Sequence, residues 1–172
     1  AWPGLPTNSM LPYESVELQT LQAQLTLNEN RIYYNIFIAP TTGVYKRIEL
    51  YTYDNGGNFD VSGVLGGAIY TAAGSNLTVP GILIGEGAHT FSAGELESEK
   101  ITSIDFGGNG ASLVAGTKYW MAMGWSADEP GIGELQTRHW YASDGGVPGP
   151  GAGIDSTREI ASNGTFPTTA GT

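Results

Sequence analysis

Residues 113–125, LVAGTKYWMAMGW, constrain the fold of this chain more than any other stretch. Leu113, Gly116 and Tyr119 stand in the order L-x-x-G-T-x-Y, which is typical of the arch where a Greek-key β-sandwich crosses between its sheets. The glycine permits a tight turn and the leucine is expected to enter the core. The tyrosine is expected to turn its hydroxyl back onto the arch backbone, in a tyrosine corner. The motif therefore predicts a β-sandwich.

The strand after this corner is predicted to be a central one. Its two faces are Tyr119, Met121, Met123 and Trp125 on one side and Trp120, Ala122, Gly124 and Ser126 on the other. A strand that is apolar at nearly every residue is covered on both faces. We therefore expect it to lie in the middle of a sheet, with packed side chains above and below.

Turn residues recur at regular intervals between short apolar runs. The predicted strands are residues 15–27, 31–38, 44–53, 68–72, 77–84, 88–92, 101–106 and 134–142. For residues 15–27 we favour two strand halves joined by a bulge, and a helix is the alternative. Residues 54–68 are predicted to be a loop, and Pro80 with Gly81 places the strand 77–84 at a sheet edge. The pattern predicts an all-β protein, a single β-sandwich of jelly-roll or Greek-key type with eight to ten strands.

Both ends of the chain differ from the predicted sandwich domain, residues 15–142. Residues 1–14 contain three prolines and are predicted to form an extended N-terminal arm. Residues 143–172 begin with a Gly/Pro-rich run and are predicted to form a C-terminal arm. The N-terminal arm is either a frayed tail or an arm laid on a neighbouring subunit. Its candidate contact residues are Trp2, Leu5, Met10, Leu11 and Tyr13.

The charge balance argues against two classes of partner. The formal net charge is -10, with 17 acidic and 7 basic residues. We therefore expect no binding to nucleic acid or to an anionic membrane, since both require a basic surface. The absence of cysteine excludes disulfides and thiolate chemistry. The sequence contains no run of about 18 apolar residues, so no membrane-spanning helix is predicted.

Catalytic patterns are weak. His89 and His139 are isolated from each other and from any metal-ligand spacing, so we interpret both as structural or surface residues. Glu95, Glu97 and Glu99 alternate, a spacing that glycoside hydrolysis allows but that any solvated strand edge also shows. There is no G-x-S-x-G motif. We therefore predict no catalytic residues and no enzyme activity.

One loop carries a candidate metal site. Asp54, Asn58 and Asp60 place oxygen ligands around glycines, which suits calcium. An EF-hand would also need an oxygen ligand at the third position and an acidic residue at the twelfth, and here these are Gly56 and Leu65. A calcium site completed by another loop and an ordinary Asn/Gly turn both remain open. No other cofactor is predicted.

A second candidate surface is aromatic. In residues 44–53, Val44, Ile48 and Leu50 are predicted to point one way, while Tyr45, Tyr51 and Tyr53 point the other way with Arg47 and Glu49. Exposed rings stack on sugars or on partner subunits, whereas other rings only fill a core. We interpret this face as either a solvated sheet face or a contact surface.

The order of several segments resembles the small β-sandwich domains of tailed-bacteriophage virion proteins, in fibres and in capsid decoration or cement subunits. The segments are RIYYNIFIAPTTGVYKRIELY, GGAIYT, GEGAHTFS, LVAGTKYWMAMGW and NGTFPTTAG. The resemblance implies a function in assembly or receptor attachment, with no catalytic residues. No long fibre shaft flanks the domain, which favours a compact subunit on a particle surface.

From this resemblance we expect a phage virion structural protein, a capsid decoration or cement subunit on the virion surface. It would bind the major capsid protein or tail components non-covalently, as a homo-oligomer with a trimer as the working number. The alternative is an extracellular receptor-binding (tail-fibre-type) or carbohydrate-binding module that binds glycans through its tyrosine and tryptophan rings.

Overall fold

The computed structural model describes residues 9–10, 24–27, 31–54, 62–77, 79–95, 100–127, 135–138, 154–156, 161 and 163–170. These ranges contain β-strands and a short 3-10 turn at Ser75–Leu77, and no α-helix. The strands are β1 (Ser9–Met10), β2 (Gln24–Thr26), β3 (Ile32–Ile38), β4 (Gly43–Tyr45), β5 (Arg47–Asp54), β6 (Gly63–Ala73), β7 (Val79–Phe91), β8 (Lys100–Asp105), β9 (Ala111–Leu113), β10 (Lys118–Ala127), β11 (Leu135–Arg138) and β12 (Ile154–Ser156).

Eight of these strands form two antiparallel sheets. One sheet has the order β8-β5-β11-β2, and the other has the order β3-β10-β6-β7. Along the chain every connection between successive strands of this set changes sheet, except the one from β6 to β7. This is the strand order of a jelly roll. The predicted all-β sandwich of jelly-roll type is therefore confirmed.

The other four strands extend this framework. β1 pairs in parallel with β5 at Arg47 and Ile48. β12 pairs with the free edge of β3, and β4 pairs with β9 in a small sheet of their own. Segments from near both ends of the chain therefore add to the sheets.

The core has two parts, one on each face of β10. Between the two sheets, Met121, Met123 and Trp125 pack with side chains such as Ile48 and Ile104 of the opposite sheet. On the outer face of the β10 sheet, a second cluster contains Ile32, Tyr34, Ala68, Tyr70, Trp120, Ala122, Phe166 and Ala170. The prediction that this strand is central and covered on both faces is confirmed.

The predicted tyrosine corner is also present. The Tyr119 hydroxyl oxygen accepts a hydrogen bond of 3.1 Å from the backbone N–H of Val114. Leu113 is buried, and Gly116 has a φ of 75°, a conformation that glycine adopts without steric cost. The Gly116 N–H donates to the carbonyl of Ala39 at 2.9 Å, which joins this arch to the loop after β3.

The predicted loop 54–68 is wrong in its second part, because β6 already begins at Gly63. Gly66 and Gly67 are strand residues whose missing side chains make room for neighbours. A Cβ on Gly66 would lie 2.7 Å from the ring of Phe166, and one on Gly67 would lie 2.9 Å from Ile104. A glycine pair read as a turn signal therefore marks close packing inside a strand.

The predicted strands 77–84 and 88–92 are one continuous strand, β7. It lies at the end of its sheet, as the edge prediction required. Pro80 and Gly81 are accommodated in β7, where the register with β6 shifts between Tyr70 and Ala72.

The predicted faces of residues 44–53 need a correction at Lys46. This residue separates β4 from β5, so the alternation does not run through it. Ile48 and Leu50 are buried as predicted, but Val44 is exposed and Tyr45 is only 4% exposed. Glu49 is buried too; its Oε1 accepts a hydrogen bond of 3.1 Å from the hydroxyl of Ser103.

The C-terminal residues that the structure describes lie against the sandwich. β12 pairs with β3, and Phe166 and Ala170 are buried in the outer cluster. These described segments therefore extend the sheet of β3 and cover its outer face, and the domain division predicted at residue 142 stays a prediction.

Candidate functional site

Exposed aliphatic side chains collect at one end of the jelly roll, which we call the corner end. It comprises the described residues of the segments 36–46, 71–83 and 108–119. The pairing register brings them together: Ile38 lies opposite Lys118 at the start of β10, and Thr71 lies opposite the next residue, Tyr119. The hairpin between β6 and β7 follows directly.

Five of the six large hydrophobic side chains that are exposed in the described part of the chain lie at the corner end. They are Ile38 at 57%, Val114 at 55%, Ile82 at 62%, Val44 and Leu77. The sixth is Ile101, which lies in β8 of the other sheet, opposite Tyr51 of β5. Single exposed aliphatics are normal on a protein surface, whereas their concentration at one end indicates an interaction site.

The corner end also differs in charge from the whole chain. Its three segments contain Lys46 and Lys118 and no aspartate or glutamate, in a chain with 17 acidic and 7 basic residues. Asp105, which precedes one of these segments, lies 3.8 Å from the guanidinium of Arg47. The end is therefore apolar and weakly basic on an acidic protein.

Hydrogen bonds join the loop after β3 to the loop before β10 at the corner end. The Ala39 N–H donates to the Thr117 carbonyl at 3.0 Å. The Ala115 N–H donates to the Thr42 hydroxyl at 2.9 Å. These bonds connect residues far apart in sequence, so the aliphatic side chains are presented by a preorganised surface.

Tyr45 supports this end from inside. Its ring lies in the core between the sheets, and its hydroxyl lies 2.7 Å from the Thr41 hydroxyl and donates to the Thr41 carbonyl at 3.2 Å. Tyr45 is one of the predicted partner contacts, and that role stays a prediction for a ring that is 4% exposed. Tyr45 orders the loop that carries the exposed residues.

The other predicted contact residues are distributed as follows. Tyr51 is half-buried against the core. Met10 lies in β1 and Tyr53 in β5, where the structure defines their backbone positions. Outside the described residues lie Trp2, Leu5, Leu11 and Tyr13. Among these, the structure assigns no side chain to the corner end.

A polar cluster lies at the connection from β7 to β8. The Glu95 carboxylate is 2.8 Å from Nε2 of His89 and accepts hydrogen bonds from Lys100 Nζ at 2.6 Å and from the Ser92 N–H at 3.1 Å. Burial raises the pKa of Glu95, but the hydrogen bonds from Lys100, His89 and Ser92 outweigh it and lower the pKa to about 2.

Through Glu95 this cluster joins His89, near the end of β7, to Lys100 at the start of β8, where the chain crosses between the sheets. We call this cluster of His89, Glu95 and Lys100 the clamp. The His89 ring also packs edge-on against Phe91, with 4.6 Å between ring centroids. These contacts agree with the interpretation of His89 as a structural residue. Of the alternating glutamates, Glu95 lies in the turn after β7, and Glu97 and Glu99 lie outside the described residues, as does His139.

The candidate calcium loop is described at one position. Asp54 is the last residue of β5, while Asn58 and Asp60 lie outside the described residues. Within the described ranges no three His, Cys, Asp or Glu side chains lie close enough to hold a metal ion. Calcium remains a prediction, and a melting temperature that falls on addition of a chelator is its test; an unchanged melt removes it.

The corner end was not predicted from the sequence, although a signal for it exists. The three segments are free of carboxylates, and each contains an aliphatic residue at or beyond the end of a strand. The alternation of apolar and polar residues assigns such a residue to one face of a sheet, but it does not show that several strands end at the same place. Only the pairing register of the strands shows this.

The fold and this surface define a class: a small all-β protein of jelly-roll topology with an apolar end. No family model matches the chain, and none of the curated proteins or solved structures matches it. In the part of the chain that the structure describes, no helix is long and apolar enough to span a membrane.

Proposed function

We propose that this protein is a structural subunit of a phage virion, a capsid decoration or cement protein that docks on the particle through the corner end. The observation that carries the proposal is the concentration of exposed aliphatic side chains at one end of a jelly roll whose interior is filled with side chains. Jelly rolls recur among viral capsid proteins, but the fold alone does not assign a function.

The size of the apolar end supports docking by several subunits together. Complete burial of one valine or isoleucine contributes about 1.5–3 kcal/mol, so covering the exposed half of each side chain contributes about 1 kcal/mol. Five such side chains give about 5 kcal/mol, which is close to the lowest cost of association of about 4 kcal/mol. A single subunit would therefore bind weakly, and an oligomer that presents several corner ends would gain the necessary avidity.

The charge distribution supports an oriented attachment. All aspartate and glutamate residues of the chain lie outside the corner end. Because the net charge is -10, free subunits repel one another in solution. The end that lacks carboxylates is the one that approaches another protein at the lowest electrostatic cost. A particle surface would therefore receive the subunit end-on, with the acidic body outward.

The test is co-sedimentation of the purified protein with particles from a lysate of the source organism. Ile38→Asp and Val114→Asp place a charge on the corner end, and Ile101→Asp is the matched control because Ile101 is 40% exposed on the other sheet. We expect each corner-end variant to bind at least about tenfold more weakly, equivalent to about 1.4 kcal/mol, and the control to bind normally. Equal binding by all three variants would contradict the proposal.

The alternative remains a receptor-binding or carbohydrate-binding module. Trp120 and Trp125 are buried, so neither ring is presented to a sugar. Among the predicted contact rings whose side chains the structure describes, Tyr51 is the one with partial exposure. A glycan screen decides this point: binding that is lost in Tyr51→Ala, with normal particle binding by the corner-end variants, would favour the alternative.

A further inference from the structure

The chain enters its first described strand from the side of the corner end. β1 pairs with β5 in parallel, and Ser9 lies opposite Arg47. Because parallel strands run in the same direction, the chain reaches Ser9 from the side of Lys46, which belongs to the corner end. Residues 1–8, which we call the N-terminal segment, lie outside the described residues, but the point at which they join the body is therefore known.

The N-terminal segment has the same chemical character as the corner end. Its sequence is AWPGLPTN, and the first charged residue of the chain is Glu14. The corner end likewise contains no aspartate or glutamate, in a chain that has 17 acidic residues. Contact between the two would therefore bury apolar surface on both sides without removing a carboxylate from water.

The two large apolar residues of the segment are spaced to lie on one side of it. Trp2 precedes Pro3 and Leu5 precedes Pro6, and a residue before proline favours an extended conformation. In a polyproline II helix three residues make one turn, so Trp2 and Leu5 would project from the same side about 9 Å apart. An extended segment of this sequence thus offers an apolar side to a flat surface.

The length of the segment matches the position of the exposed aliphatic residues. At about 3.3 Å per residue, Leu5 reaches up to about 13 Å from Ser9. Val44 lies three residues before Arg47, so the two Cα atoms are at most about 11 Å apart. Trp2 reaches about 9 Å further, toward Val114, which follows the residue paired with Gly43. No linker is needed between the segment and the surface.

The attachment at β1 also favours this contact thermodynamically. A segment joined to the body by a short tether has an effective concentration in the millimolar range. An affinity as weak as a Kd of about 1 mM therefore suffices to cover the surface in about half of the molecules. A second copy would have to reach the same concentration in solution to compete.

We propose that residues 1–8 cover the corner end of their own chain in the free subunit and leave it when the subunit docks. The segment shields the exposed aliphatic side chains until a particle surface replaces it. The release step rests on the proposed function, whereas the covering does not. The segment thereby regulates the same surface that we assign to docking.

Disulfide trapping within one chain tests the covering, because the chain contains no cysteine. Gly4→Cys leaves Trp2 and Leu5 in place and reaches up to about 17 Å from Ser9. It is combined with Val44→Cys at the corner end, and the dilute purified protein is oxidised. The matched control combines Gly4→Cys with Ile101→Cys. Val44 and Ile101 are 37% and 40% exposed.

The control residue is within reach but lies in the opposite direction. Ile101 pairs with Tyr51, four residues along β5 from Arg47, and lies about 14 Å from Arg47. We expect a cross-linked monomer to form at least about tenfold faster with Val44→Cys than with Ile101→Cys. Equal rates would overturn the proposal, and so would covalent dimers in place of cross-linked monomers, which would show a second copy as the occupant.

The apolar side of the segment is tested by adding Trp2→Ser and Leu5→Ser to the Val44→Cys pair. The rate of cross-linking should fall to that of the Ile101→Cys control, and an unchanged rate would contradict covering by these side chains. Without the cysteines, the same two substitutions should tighten particle binding at least about threefold, because a larger fraction of subunits has a free corner end. Weaker or unchanged binding would contradict the release step.

The covering and the virion function fail separately. Cross-linking uses purified protein without particles, so its result stands even if no particle binds. Conversely, equal particle binding by Ile38→Asp, Val114→Asp and Ile101→Asp contradicts the docking function and leaves the cross-linking result unaffected.

Discussion

Gly66→Ala tests the packing of the C-terminal residues 163–170, which we call the strap, without altering the strap itself. The added methyl group would lie 2.7 Å from the Phe166 ring and 2.9 Å from the Gly164 carbonyl oxygen, both below normal contact distance. The ring can tilt, but the carbonyl belongs to the backbone of a residue with a φ of 84° that itself packs on Ala88. Overpacking of this kind costs about 1–3 kcal/mol.

The matched control is Gly43→Ala. A Cβ on Gly43, a strand residue of β4, would meet no atom within 4 Å. Alanine in a strand loses less backbone entropy on folding than glycine, so this control is expected to stabilise the protein by about 0.5 kcal/mol. The two variants should therefore differ in free energy of unfolding by about 1.5–3.5 kcal/mol.

Two measurements check this prediction. Urea denaturation gives the free energies of unfolding. Hydrogen exchange locates the loss, which should appear first at the amides of Leu83 and Ala170, the two that bond the strap to β7. Equal stability of Gly66→Ala and Gly43→Ala, with both amides still protected, would refute the described packing of Phe166.

Further substitutions test the corner, the core and the clamp. Tyr119→Phe removes the hydroxyl that accepts from Val114 N–H and should cost about 1 kcal/mol in urea denaturation; no change would show that the hydrogen bond does not hold the arch. Thr52→Val leaves the buried hydroxyl of Thr102, 2.6 Å away, without its partner and should cost about 1–3 kcal/mol. Adding Thr102→Val should restore most of that loss; additive losses would contradict the pairing. Glu95→Gln should cost about 1 kcal/mol or less at neutral pH, because the ion pairs are partly exposed. Since the pKa of Glu95 is lowered from 4.5 to about 2, its contribution is present above pH 4.5 and lost as pH falls through 2; a difference from wild type that stays constant from pH 5 to pH 2 would exclude the clamp.

The features that the sequence predicts best are those fixed by local chemistry. The tyrosine corner needs only Leu113, Gly116 and Tyr119 at their spacing, and it forms as expected. The central position of β10 follows from apolar residues on both faces. The sandwich class follows from the number of short strands and turns, because many short strands separated by turns are typical of packed antiparallel sheets.

The features that the sequence did not reveal depend on contacts between distant residues. Gly66 and Gly67 look like a turn until Phe166 and Ile104 are known to pack on them. The inward turn of Tyr45 depends on β4 leaving the main sheet to pair with β9. The predicted loop at Gly66 and Gly67 and the predicted outward direction of Tyr45 are wrong for one reason. Alternation and turn residues describe a single strand, whereas the burial of a residue depends on the segments that pack against that strand.

The strap and the corner end were missed for the same reason. Residues 163–170 contain few apolar residues, and their place in the core depends on the groove that receives Phe166. The corner end exists because the ends of β3, β6, β7 and β10 coincide. A composition shift at residue 143 predicted an arm, and the structure shows that described parts of that arm complete the body.

The central proposal is that this protein decorates a phage capsid, and gold-labelled antibody on particles in a lysate of the source organism tests it most directly. The account predicts regular labelling over the heads, which the Ile38→Asp variant should lose when it replaces the wild-type protein. Labelling confined to tail tips would instead assign a receptor-binding function. Particles without any label would contradict the virion assignment.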